Sequence, residues 1–185
     1  LSQEVTNLGN FGRKVISQPS KTVIITGGAK VSDKINVLKQ FVHTGVKAIF
    51  IGGKMLNSFL MARKAKLKMS PFDLSDIPRT LISTNNENNQ NFINEVTLAG
   101  EIIDFANDKK VNLIFPHDYK CVDNFKSPTY FIESDPDFDK VLQLDLGPKT
   151  IENFKNTILS NGVENVFWNG PLGAYDHPTN ADYAE

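Results

Sequence analysis

The stretch ITGGAKVSDKI, residues 25–35, joins an apolar run to the start of an amphipathic helix. The run that leads into it, KTVIIT over residues 21–26, is rich in β-branched residues and predicts a buried strand. After the stretch, apolar residues recur at helical spacing from Ser32 to Thr44, and Gly45 predicts the end of that helix. The sequence here therefore predicts a strand, a glycine-containing loop and a helix in succession.

The same alternation continues along the chain. Further strands are predicted over residues 47–51, 111–115 and 163–168, and further helices over residues 54–66, 88–110 and 148–160. The remaining parts are predicted to be an irregular excursion over 68–86 and short, partly antiparallel pieces over 118–140. Short apolar runs that alternate with amphipathic helices indicate parallel βαβ units. We predict an α/β fold, a three-layer αβα sandwich with a mainly parallel, Rossmann-like sheet, incomplete at the C-terminus.

Composition narrows the classes of partner. The 185 residues suit one domain or a large fragment of one. The balance of 20 Lys and Arg against 21 Asp and Glu gives no support for nucleic-acid binding, which usually needs a strongly basic face. No apolar run approaches the roughly 18 residues that suggest a membrane span, so none is predicted. The single cysteine, Cys121, excludes an internal disulfide and fits a reducing compartment such as the cytoplasm.

The loop at residues 27–34 carries groups that suit a phosphate. Gly27 and Gly28 have no Cβ, so a ligand can approach their backbone closely. The helix start that follows offers unpaired N–H groups and the positive end of its dipole, beside Lys30 and Lys34. The pattern is neither a Walker A motif nor GxGxxG, and taken alone it fits an ordinary turn with solvated lysines equally well.

Two more glycine-containing loops follow predicted strands. Gly52 and Gly53 end the second strand, and the motif NGPLG at residues 169–173 ends the last one. The carboxyl ends of parallel strands meet at one edge of a sheet, where ligands bind in this class of fold. Three such loops together predict a nucleotide or phosphate site at that edge.

Four stretches resemble the carboxyl-terminal, nucleotide-binding domain of phosphoglycerate kinase. They are GGAKVSDKI (27–35), FIGGKM (50–55), LDLGPKTIENFK (144–155) and VFWNGPLGAYD (166–176), in the order and near the spacing of that family. The resemblance implies a partial nucleotide-binding domain over residues 21–185, preceded by a lead-in segment over residues 1–20. It also implies a glycolytic transferase that moves a phosphoryl group between 1,3-bisphosphoglycerate and Mg-ADP, giving 3-phosphoglycerate and ATP, in the cytoplasm.

The resemblance also assigns roles to single residues. Lys30 resembles the catalytic lysine that follows the transferring phosphoryl group, and Lys34 looks like the lysine that holds nucleotide phosphates, with Asp33 beside it. The other nucleotide-binding residues that it implies are Gly28 and Ala29 by their backbone, Gly53 and Leu144 at the adenine slot, Gly170, Leu172 and Tyr175 on its other wall, and Asp176 at the ribose. The implied cofactor is Mg-ATP or Mg-ADP, with the magnesium ligand expected outside this chain.

The chain departs from the family pattern around the adenine and the ribose. Lys54 stands where the family usually has a third glycine, Gln143 replaces a glycine, and Asp176 replaces a glutamate. We expect the domain that binds phosphoglycerate to lie outside this chain, so the chain alone is not expected to be competent.

Two hypotheses stay open at this point. One is an internal part of a phosphoglycerate kinase, and the other is a degenerate relative that serves as a structural or regulatory subunit of a larger assembly. In both, the missing substrate domain or a protein partner is expected to cover the incomplete sheet.

Overall fold

The structure is a computed structural model that describes residues 2–68, 74–76, 81, 84–123, 127–135, 138, 141–160 and 162–174. Within these residues the α-helices are α1 (Ser2–Ser17), α2 (Ile35–Thr44), α3 (Leu56–Lys68), α4 (Asn86–Lys109) and α5 (Pro148–Leu159). The strands are β1 (Thr22–Thr26), β2 (Ala48–Ile51), β3 (Asn112–Ile114), β4 (Tyr119–Asp123), β5 (Ser127–Phe131), β6 (Leu142–Leu146) and β7 (Asn165–Asn169). Two short 3-10 helices cover Pro19–Lys21 and Leu74–Asp76.

Four strands form a parallel sheet in the order β3-β2-β1-β7. The register places Ile24 of β1 between Ile49 of β2 and Phe167 of β7. The chain adds β2 and β3 on one side of β1 and β7 on the other side, so the strand order reverses at β1. The remaining three strands form an antiparallel sheet in the order β5-β4-β6, which confirms the antiparallel pieces predicted over 118–140.

Both faces of the parallel sheet are covered by helices. Ile24 and Ile49 point to the side that holds α2, α3 and α4. Val23 and Phe50 point to the opposite side, where the rings of Phe50 and Phe154 of α5 lie 4.0 Å apart between centroids. Strands that are buried on both faces have continuous apolar sequences, which explains TVIIT and AIFI. The predicted three-layer α/β fold is confirmed.

The lead-in segment contains a helix that the sequence pattern did not predict. Helix α1 covers most of residues 1–20, and Val15 is only 5% exposed. The ring of Phe11 stacks on that of Phe167 in β7, with 4.9 Å between centroids. This segment therefore packs on the α2 side of the sheet.

Two further boundaries differ from the sequence prediction. Helix α2 begins at Ile35 and not at Ser32, because a turn closed by the bond from the Lys34 N–H to the Val31 carbonyl precedes it, at 2.9 Å. Strand β6 was not predicted, although its leucines alternate with the polar Gln143 and Asp145. Most of the irregular excursion predicted over 68–86 lies outside the described residues.

A buried carboxylate joins β6 and α5 to the start of β4. Asp118 is 4% exposed and accepts hydrogen bonds from the N–H groups of Lys149 at 3.1 Å and Thr150 at 2.8 Å. The Thr150 hydroxyl oxygen in turn accepts from the Asp118 N–H at 3.0 Å. Because a carboxylate satisfies two N–H groups of the first turn of α5, the LDLGPKT stretch is held in one place.

No helix in the described ranges is both long and apolar enough to cross a bilayer.

Burial makes the single cysteine unreactive. Cys121 is fully buried, and burial raises the pKa of its thiol to about 12. Because the thiolate is the nucleophile, we expect iodoacetamide at pH 8 to modify Cys121 in the folded protein at least about a hundredfold more slowly than in urea. Peptide mapping by mass spectrometry measures both rates, and equal rates would contradict the buried position.

Candidate functional site

Three glycine-containing loops leave the carboxyl ends of neighbouring strands. We define the first loop as residues 27–34 after β1, the second as residues 52–55 after β2, and the third as residues 170–174 after β7. They lie where the strand order reverses, which is the place where ligands bind to open α/β sheets.

Backbone hydrogen bonds connect the loops directly. The Gly27 N–H donates to the carbonyl of Asn169 at 3.1 Å, which ties the first loop to the end of β7. The Gly53 N–H donates to the carbonyl of Leu172 at 2.9 Å, which ties the second loop to the third. The sequence prediction that these loops share one edge is consistent with this arrangement.

Glycine is required where the loops touch. Gly53 has a φ of 67°, and a Cβ there would lie 2.5 Å from the Gly28 nitrogen and 2.9 Å from the Pro171 oxygen. Gly170 has a φ of 94°, and a Cβ there would lie 2.5 Å from the Gly27 oxygen. Both positions combine a left-handed backbone with a contact that leaves no room for a side chain.

Lys34 is held at the centre of the site. Its Nζ donates to Oδ1 of Asn169 at 2.8 Å, and the residue occupies the N-cap position of α2. The ammonium group is therefore fixed beside the positive end of that helix, where the backbone N–H groups of the first turn have no helical partner. Asn169 was not predicted as a site residue, although it lies in the NGPLG motif, because 135 residues separate it from Lys34.

The other charged residues of the first loop are exposed. Lys30 and Asp33 both lie at the surface, and neither makes a hydrogen bond or an ion pair with a described residue. Gly28 and Ala29 precede Lys30, and the Gly28 carbonyl accepts from the Met55 N–H of the second loop at 3.0 Å. Lys30 thus has an exposed side chain without a described partner, two residues after the anchored Gly28.

Strand β6 brings the antiparallel sheet to the site. The Ala174 N–H donates to the carbonyl of Leu144 at 2.9 Å, and Gly173 lies against the carboxylate of Asp145. Burial raises the pKa of Asp145 above its ordinary value, although the Leu146 N–H and Lys120 act in the opposite direction. The bond between Ala174 and Leu144 places Leu144 beside the third loop.

Of the eleven predicted site residues, nine fall on these loops or beside them. They are Gly28, Ala29, Lys30, Asp33, Lys34, Gly53, Leu144, Gly170 and Leu172. Tyr175 and Asp176 lie outside the described residues.

The donor set at the loops suits phosphate. The site offers two ammonium groups, a helix start and closely approachable glycine backbone, which together suit an anion with several oxygens. Among the described residues, no three His, Cys, Asp or Glu side chains lie together in a way that could hold a metal ion.

The fold defines a Rossmann-like α/β domain in which three glycine-containing loops converge at the reversal of strand order. The family model "Phosphoglycerate kinase" matches residues 1–182. The chain therefore belongs to the phosphoglycerate kinase family.

Individual relatives agree with this assignment. A phosphoglycerate kinase of Oenococcus oeni is 35% identical over 166 residues, covering 88% of this chain and 35% of the relative. One of Plasmodium falciparum is 33% identical over 170 residues, covering 89% of this chain and 36% of the relative. The chain thus spans about a third of the length of these relatives.

Solved structures show the same fold. The phosphoglycerate kinase of Coxiella burnetii superposes with a TM-score of 0.70 at 20% identity, covering 97% of this chain and 41% of that chain. The enzyme of Pyrococcus horikoshii gives a TM-score of 0.71 at 18% identity, covering 97% and 40%. At such identities the superposition supports the fold alone.

Replacing Gly53 with alanine tests the loop contact. Gly45, at the end of α2, is the matched control, because its φ is 77° but nothing lies within 4 Å of a Cβ there. Gly45→Ala is expected to lower the free energy of unfolding by about 1 kcal/mol, the cost of a left-handed alanine. Gly53→Ala adds a backbone overlap, and we expect a total loss of about 3 kcal/mol. Urea denaturation measures both, and equal losses would contradict the contact.

Proposed function

We propose that this chain is the Mg-ADP/ATP-binding part of a phosphoglycerate kinase, which transfers a phosphoryl group between 1,3-bisphosphoglycerate and ADP. The observation that carries the proposal is the pair of lysines in the first loop. Lys34 is fixed to Asn169 at 2.8 Å, whereas the exposed Lys30 has no described partner. One fixed and one mobile ammonium group suit a reaction in which one set of phosphates stays in place and one phosphoryl group moves.

The two lysines would divide the charge of the reacting phosphates. Lys34, at the start of α2, would hold phosphates of the nucleotide together with the helix N–H groups. Lys30 would follow the transferring group and offset the charge on its oxygens, which is the main demand of phosphoryl transfer. When bound, magnesium would add further charge neutralisation at the phosphates. Asp33 lies beside Lys34 on the side proposed for the metal and phosphates.

The adenine would bind against the surface of the second and third loops. Gly53 and Gly170 let the backbones of neighbouring loops meet directly, so the base would lie on these loops and not between them, and the third loop carries Leu172, which lies close to Gly52. Leu144, anchored to Ala174 at 2.9 Å, would provide a further apolar contact. Tyr175 and Asp176 follow directly in the sequence and are proposed to continue the wall and reach the ribose.

The proposal requires more protein than this chain. The matched relatives are about three times as long, and a substrate domain together with the magnesium ligand would lie in the remaining length. Transfer would need the two domains to close over the substrates and exclude water.

In the described part of the sheet β7 pairs with β1 alone and Trp168 is 63% exposed, so we propose that further chain or a protein partner covers this edge.

We place the protein in the cytoplasm. A chain with one buried cysteine depends on no disulfide and suits a reducing compartment. Relatives from Trypanosoma congolense include both a cytosolic and a glycosomal phosphoglycerate kinase, so the family is not confined to one location.

A degenerate, non-catalytic subunit is the second candidate. Lys54 is exposed in the second loop, directly after Gly53, and Gln143 is half-buried directly before Leu144. Both residues directly adjoin residues of the proposed adenine site, where a long or polar group would weaken the binding of the base. The proposed phosphate lysines are present, which favours the enzyme over this alternative.

Titration calorimetry of Mg-ATP into the complete polypeptide separates the two candidates. The enzyme predicts a dissociation constant below about 1 mM, as is usual for substrates of metabolic enzymes. A folded protein that releases no heat at about 5 mM nucleotide, well above that range, would overturn the enzyme and leave the structural or regulatory subunit.

Lys30→Ala tests the role of the mobile lysine. We expect turnover to fall by about a hundredfold or more while the dissociation constant for Mg-ATP changes by less than about threefold, because the group would act mainly in the transition state. Lys39→Ala is the control, since Lys39 lies outside the loops and pairs with Glu101 on α4. Unchanged turnover in Lys30→Ala would contradict the proposed role of Lys30 in the reaction.

A further inference from the structure

A glutamate of helix α4, Glu95, forms two hydrogen bonds with the first loop. The backbone N–H of Ser32 donates to Oε2 of Glu95 at 2.9 Å, and the Ser32 hydroxyl donates to Oε1 of the same carboxylate at 2.5 Å. One ionised group thus accepts two hydrogen bonds from one residue, and such charge-assisted bonds are stronger than neutral ones. This contact joins positions 63 residues apart in the chain.

Ser32 lies midway between the two lysines of the loop. Lys34 is fixed by its own bond to Asn169, so it does not depend on Ser32 alone. Lys30 has no described partner, and the position of its side chain therefore depends on the loop backbone. That backbone is held upstream by the bond between Gly28 and Met55 and downstream by the bonds of Ser32 to Glu95.

Glu95 does not act by neutralising a lysine. It makes no ion pair with any described residue, and both of its oxygens are occupied by the uncharged donors of Ser32. Its effect on the loop is therefore one of geometry. Its negative charge, so close to the phosphate-binding loop, would oppose anion binding if it acted at all on affinity.

We propose that Glu95 is a positioning residue that sets the reach of Lys30 toward the transferring phosphoryl group by fixing the loop at Ser32. The inference rests on the proposed function for the role of Lys30. The effect of Glu95 on the loop backbone can be tested independently of the proposed function. Small displacements of a group that must meet a reacting atom cost rate far more than affinity.

Glu101 provides a matched control on the same helix. Its carboxylate pairs with Nζ of Lys39 at 3.3 Å, so it joins α4 to α2 away from the first loop. Glu101→Gln removes one charge from α4, as Glu95→Gln does, and weakens a contact between α4 and α2. It leaves the bonds of Ser32 unchanged.

The first measurement compares turnover and affinity in the complete polypeptide. In Glu95→Gln both bonds to Ser32 lose the negative charge that strengthens them, and the Ser32 hydroxyl has to accept from the amide group rather than donate to it. We expect turnover to fall about tenfold while the dissociation constant for Mg-ATP stays within about threefold or becomes smaller. Glu101→Gln should match the wild type in both. Equal turnover in the two variants, or a loss of affinity as large as the loss of turnover, would overturn the proposal.

The second measurement does not depend on activity. Amide hydrogen exchange over residues 27–34 should be faster in Glu95→Gln than in the wild type and unchanged in Glu101→Gln, with the largest effect at the Ser32 N–H. Ser32→Ala, which loses only the hydroxyl bond, should show a smaller increase and serves if Glu95→Gln does not fold. Unchanged exchange would overturn the role of Glu95 even in an active kinase. Faster exchange in a protein that binds no Mg-ATP would support the claim that Glu95 fixes the loop at Ser32, and would contradict the proposed function instead.

Discussion

The structure depends on a direct backbone contact between the loops that follow β1, β2 and β7. At Gly53 and Gly170 a Cβ atom would overlap the backbone of a neighbouring loop, and both residues have positive φ angles. Only glycine meets both conditions at little cost. This contact brings the ends of three strands together at the reversal of strand order, and every other feature of the site is placed relative to it.

The charges of the site follow from that contact. Because the end of β7 is bonded to Gly27 at 3.1 Å, Asn169 comes within 2.8 Å of the Lys34 ammonium group. The same first loop continues to Ser32, where Glu95 holds it from α4. Of the two lysines in the loop, Lys30 is the one without a described partner, and this division between a fixed and a free ammonium group is what the proposed phosphoryl transfer would use.

The main elements could be predicted because their sequences repeat a local pattern. Strands β1 and β2 are buried on both faces and are therefore continuously apolar, and α2 ends at a glycine with a φ of 77°. Helix α1 escaped prediction because its sequence is largely polar, although Phe11 and Val15 pack against the core.

The loops of the site could be predicted from glycine and lysine at strand ends, but their partners could not. Asn169 and Glu95 meet the first loop across 135 and 63 residues, and no periodicity in the sequence reports such a contact. The approach of Leu144 to Ala174 depends in the same way on how the antiparallel sheet lies against the parallel one. Family resemblance suggested Leu144, whereas Glu95 became evident only from the geometry.

A crystal structure of the complete polypeptide with Mg-ADP tests the central claim most directly. We expect the nucleotide phosphates to lie against the first loop and the start of α2, with Lys34 in contact, and the base to lie against the surface of the second and third loops near Gly53 and Leu172. A nucleotide bound elsewhere, for example in the groove of about 950 Å³ beside Phe115 and Lys149, would contradict the proposed site.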